Sequence, residues 1–190
     1  MSKHSKKITT IEEFHKASAS MKNYQRIHNV IRSDYKELLM ITEESINNKK
    51  KFDALYRASL KGLFSIIEAD IFGLNNLDKY EGYDDNQRFI DKFKKTFKQI
   101  CKTWNKKERQ QKYFSSKLYD LKKLKAKRDE LMHPKDIGHL HEASESNFNE
   151  LKKNFNDYND FINDLMNDFH ISINLSPLDV IKLKNGSFFN

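Results

Sequence analysis

From Phe148 to Phe169, large side chains recur at Phe148, Leu151, Phe155, Tyr158, Ile162, Leu165 and Phe169, in alternating steps of three and four. A row of that period lies on one side of an α-helix and on no other regular structure. Acids and asparagines fill most positions between, so one face is apolar and the other is wet. The pattern predicts a helix over about residues 144–170. Its stripe has to be buried against other helices, and the rest of the chain supplies them.

Between Tyr24 and Ile46, the residues Ile27, Val30, Ile31, Tyr35, Leu38, Leu39 and Ile41 recur at helical spacing. Leu60, Leu63, Phe64, Ile67, Ile71 and Leu74 trace a wide stripe on a helix over about 52–77. After the polar loop KYEGYDDNQ, the row Phe89, Phe93, Phe97, Ile100 and Trp104 marks a further helix. NKKERQQ follows as a break or a continuation, before Leu118, Leu121 and Leu124. Five glycines and two prolines in 190 residues leave little material for tight turns. The expected fold is therefore all-α, an up-and-down bundle of four to five long helices. A polar, basic N-terminal arm over 1–23, whose first twenty residues are read as a loose arm or a short helix, is expected to precede the bundle at 24–170. The tail at 171–190, where the pattern turns to alternation, is expected to be partly extended.

One cysteine, Cys101, excludes an internal disulfide framework and fits a reducing compartment. No apolar run approaches the roughly 20 residues that span a bilayer, and MSKHSKKITTIEEF lacks a secretory core. The expectation is a cytoplasmic protein that does not enter membranes. The net charge of +8 is concentrated: 17 basic against 5 acidic residues lie between Arg88 and Lys135. A basic segment of that density suits a polyanion such as RNA, although a solvated lysine face has the same composition.

KAKRDELMHPKD, residues 125–136, closes the basic segment. Pro134 biases His133 out of helical geometry, so the helix should stop at about Met132. Arg128 can grip a phosphate through two parallel hydrogen bonds and stays charged. His133 can exchange a proton near neutral pH. With Asp129 to orient either of them, they have the parts for RNA cleavage without metal. A base deprotonates a 2′-hydroxyl, a cation steadies the phosphoryl oxygens, and an acid protonates the leaving oxygen. Five residues on an ideal helix leave the two side chains roughly 140° apart. Convergence then needs the proline stop, or a two-fold dimer that joins two Arg–His pairs.

An arginine, a polar residue and a histidine after four to six intervening positions form the motif of HEPN domains. Arg128, Asp129 and His133 resemble it, with four residues between arginine and histidine, near the end of a late helix in an all-α chain. The resemblance covers roughly residues 34–170. It implies a metal-independent endoribonuclease, a homodimer whose Arg and His line a shared groove, and a role in toxin, anti-phage or RNA-processing systems. A neutralising or regulatory protein partner is common in such systems. Some HEPN toxins carry a modifiable tyrosine two residues after the histidine; here that position is Lys135, which argues against that route of control. Other HEPN-like domains serve as non-catalytic binding modules.

Lys122, Lys123, Lys125, Lys127 and Lys135 surround the motif and are the expected RNA-backbone contacts. Tyr113 and Phe114, in basic surroundings, are candidates for base stacking. Glu68 and Asp70 lie within an apolar helix but on opposite sides of its stripe. Glu68 is the candidate anchor for Arg128, and Asp70 is expected at the edge of the bundle, reaching water. His133, His139 and His141 lack the spacing of a closed zinc site, so no metal and no other cofactor is expected. Cys101, Trp104 and the Phe89/Phe93/Phe97 row are expected in the core.

Overall fold

A computed structural model describes residues 9–167 of the chain. Six α-helices follow one another: α1 (Ile11–Glu44), α2 (Lys49–Leu77), α3 (Phe89–Thr103), α4 (Lys107–Ser116), α5 (Leu118–Met132) and α6 (Glu145–Met166). A short 3₁₀ turn, Ile137–Leu140, interrupts the loop between the last two. The architecture is the all-α bundle that the periodicity predicts. The expected extended tail lies outside the described residues.

The N-terminal boundary differs from the expectation. The helix begins at Ile11, not Tyr24, so most of the expected arm belongs to α1. Thr10 caps it: its hydroxyl accepts from the Glu13 amide at 3.2 Å, while the Glu13 carboxylate accepts from the Thr9 amide at 2.9 Å. The polar composition of this stretch hid a capping motif followed by the core residue Met21. NKKERQQ opens with the break, at Asn105 and Lys106, and its remaining residues belong to the separate helix α4. That helix is set off by a turn in which Asn105 takes a φ of 58°. Asn tolerates the left-handed region better than most residues.

α1 and α2 form an antiparallel hairpin, and α6 runs back along α1. Lys152 meets Glu43 at 2.7 Å near one end, and the Arg32 Nε donates to Asn159 at 3.0 Å further along. Leu60, Leu63, Phe64 and Ile67 of α2 are fully enclosed. Phe93 and Phe97 of α3 join them, ring centroids 4.7 Å apart, beneath Tyr158 of α6. Cys101 and Trp104 are buried as expected. Burial pushes the Cys101 thiol up to about 12, which removes it from nucleophilic chemistry.

The hairpin is closest at Gly73, where a β-carbon would stand 2.3 Å from Cδ2 of Tyr24. No real contact is that short, so Tyr24 packs directly on the α2 backbone. Gly73→Ala forces the ring away and is expected to lower the unfolding free energy by about 2 kcal/mol. That loss outweighs the gain of up to about 1 kcal/mol in helix propensity. A denaturant titration checks the sign; a stabilised variant contradicts this packing.

Candidate functional site

α5 directs Leu118, Leu121, Leu124 and Leu131 into the core. Arg128 falls on the same row, four residues after Leu124 and three before Leu131, where the pattern calls for an apolar side chain. Its side chain is 22% exposed and lies against α2. One terminal nitrogen stands 3.5 Å from Oε1 of Glu68, the other 3.3 Å from Oδ1 of Asp129. Nε is buried and makes no hydrogen bond among the described residues. The guanidinium is therefore held by two long contacts and keeps unspent N–H donors on its terminal nitrogens. Asp129 is shared with the Lys125 ammonium, which offsets part of its charge.

α5 ends at Met132, where Pro134 requires it. His133 takes φ −135° and ψ 61°, outside helical geometry, while its amide still donates to the Asp129 carbonyl at 3.1 Å. The imidazole is exposed and makes no hydrogen bond or ion pair among the described residues. Arg128, Asp129 and Glu68 thus meet in one corner where the end of α5 faces α2, while the His133 side chain makes no hydrogen bond or ion pair to any of them among the described residues. Within it only Arg128 is tethered to both acids.

The flanking lysines divide into two groups. Lys125 is tied to Asp129, and Lys127 pairs with Glu150 at 3.2 Å. Lys122, Lys123 and Lys135 are exposed and meet no carboxylate among the described residues; Lys123 lies 4.5 Å from the centroid of the exposed Tyr119 ring. Tyr113 is not available for stacking on a base. It is a core residue, stacked on Phe161 at 4.5 Å, and Phe114 packs half-buried beside Phe93. Nε2 of His141 is 2.6 Å from Glu130, at an angle outside hydrogen-bond geometry. His139 accepts from the Lys135 amide at 3.1 Å. Among the described residues no three His, Cys, Asp or Glu side chains converge as metal ligands would.

Asp70 is the main correction. It is 1% exposed rather than at a wet edge. Its carboxylate accepts from Tyr24 at 3.1 Å, Arg32 at 2.5 and 3.3 Å and Tyr158 at 2.7 Å, and meets Nδ1 of His28 at 3.1 Å. Burial alone would raise this carboxyl, but the His28 hydrogen bond and the Arg32 charge outweigh it and hold the group below the usual carboxylate range. Burial and the neighbouring carboxylate push both tyrosine hydroxyls well above their ordinary value. Tyr24, His28 and Arg32 stand four residues apart, one face of α1, and that spacing was the signal available in the sequence. The apolar series read for α1 includes Ile27, Val30 and Ile41, which prove to be exposed.

No protein-family model, curated protein or solved structure matches this chain. No helix among the described residues is long and apolar enough to cross a membrane.

Proposed function

We propose that the chain is a HEPN-type endoribonuclease that cleaves RNA without metal, using Arg128 and His133 in a homodimer. The observation that carries the reading is an arginine on the core-facing row of α5, beside an exposed histidine where the helix stops. Such a departure from the apolar pattern costs stability and is expected where function requires it. In the proposed reaction a histidine takes the 2′-hydroxyl proton, and the 2′-oxygen attacks phosphorus. The bond to the 5′-oxygen breaks, and a second acid protonates that oxygen. Arg128 steadies the charge on the phosphoryl oxygens, with Glu68 and Asp129 fixing the plane of the guanidinium. Two His133 copies, one per subunit, divide the base and acid roles. Exposed Met132, Ile137 and Leu140 flank the corner and offer apolar surface to a second copy.

A second reading, a HEPN-like module that binds RNA or a protein partner without cutting, draws support from the His133 imidazole, which no neighbour orients. Incubation with single-stranded RNA, with and without chelator, separates the two on a gel. Chelator-resistant products support the nuclease; retained but intact RNA supports the module. Wherever RNA is bound, cut or not, exposed lysines contact the backbone. The double substitution Lys122→Ala and Lys123→Ala is expected to reduce the slope of log affinity against log salt by about 0.7 per lysine. An unchanged slope removes these two from the interface.

A further inference from the structure

Between α1 and α2 lies a cleft of about 340 Å³, lined by Lys16, Asn23, Ile27, His28, Phe72 and Asn76 among others, with Asp70 at its floor. That volume falls in the range of small-molecule sites, about 300–1,000 Å³. Its buried polar wall is the His28 ring, 7% exposed. The Asp70 carboxylate can only accept, so Nδ1 of His28 must carry the hydrogen that joins them at 3.1 Å. With Nδ1 so engaged, Nε2 is the ring nitrogen left for a ligand; it makes no hydrogen bond among the described residues and is not sealed from solvent. Arg32 and two tyrosines hold Asp70 in turn, so the imidazole is fixed in position and tautomer.

The chemistry of the lining selects its occupant. Asp70 and the Tyr24 hydroxyl are spent on each other and on internal donors, and the remaining polar groups are the Lys16 ammonium, the Ser20 hydroxyl, the amides of Asn23 and Asn76, and Nε2 of His28. The cleft therefore favours a ligand with negative charge and a hydrogen-bond donor over an amine. Phe72 and Ile27, 57% and 45% exposed, are apolar lips on which a flat ring can lie. Phe72 also stands one helical turn after Glu68, the residue that meets Arg128. The same ridge of α2 thus runs from the Arg128 corner into the cleft.

We infer that the α1–α2 cleft receives an unpaired base of a single RNA strand, stacked on Phe72 and donating to Nε2 of His28, with its backbone directed toward Arg128. The identity of the ligand rests on the ribonuclease reading; the test does not require cleavage.

Titration of the full chain with each of the four ribonucleoside monophosphates, followed by calorimetry, is the experiment. At least one nucleotide is expected to bind saturably, one per chain. Phe72→Ser, at an exposed position that leaves the thermal midpoint in place, weakens it by about tenfold or more. His28→Gln, which keeps a donor for Asp70 but carries its acceptor oxygen away from the position of Nε2, weakens it further. Single-stranded RNA displaces the bound nucleotide. Absence of saturable binding, binding unaltered by Phe72→Ser, or failure of RNA to compete overturns the inference. Binding with these properties in a chain that leaves RNA intact keeps the inference and removes the nuclease. Cleavage without nucleotide binding does the reverse.

Discussion

Asp70→Asn is expected to lower the unfolding free energy by about 3–5 kcal/mol, because it leaves the Arg32 guanidinium buried without its countercharge. Arg32 is 5% exposed and has one other hydrogen-bond partner among the described residues, the neutral Asn159. The new amide would also turn its N–H donors either toward Tyr24 and His28 or toward Tyr158, which now donate to the carboxylate. Adding Arg32→Met to Asp70→Asn should recover part of the loss, since the charge in need of a partner is gone. Denaturant titrations of the two single variants and the double variant measure that coupling; strict additivity contradicts a paired core. Acid provides a second readout. The folded Asp70 carboxyl sits below its unfolded value of about 3.9, so the unfolded chain binds more protons in that range. The stabilisation is complete above about pH 4 and is lost as pH falls through the folded value. Asp70→Asn should therefore flatten the acid limb of the stability curve.

Arg128→Ala and His133→Ala are each expected to lower RNA cleavage by about 10²–10⁴-fold while the bundle stays folded. Among the described residues the His133 side chain makes no hydrogen bond or ion pair, and the polar contacts of Arg128 are long and partly exposed. Arg128→Lys should not restore activity, since an ammonium lacks the planar fork that matches a phosphate. Cleavage rates set beside thermal midpoints separate catalytic loss from unfolding. Full activity in either alanine variant rejects the assignment.

The helices were legible because their signal is local: the three-and-four rows of α2, α3 and α6 face the core as read, save Phe169, which lies outside the described residues. The end of α5 was legible too, since Pro134 fixes its neighbour's backbone whatever the tertiary context. α1 was only half legible. Its core face mixes Tyr24, His28 and Arg32 with Met21, Tyr35 and Leu39, and apolar counting alone favoured Ile27 and Val30, on the exposed side. Asp70 was missed for the same reason. A carboxylate belongs in a core only when distant residues partner it, and those partners lie 38 to 88 positions away. The proximity of Glu68 to Arg128 could be suspected from residue type but needed the α2–α5 packing to be drawn. Tyr113 looked available because its sequence neighbours are basic; the burial of its ring depends on α6.

The proposed composite use of Arg128 and His133 is tested most directly by the ends of the RNA products made in the presence of a chelator. Attack by the neighbouring 2′-oxygen leaves a 2′,3′-cyclic phosphate on one fragment and a free 5′-hydroxyl on the other, and that is the predicted result. Intact RNA, or fragments ending in 3′-hydroxyl and 5′-phosphate, would contradict it.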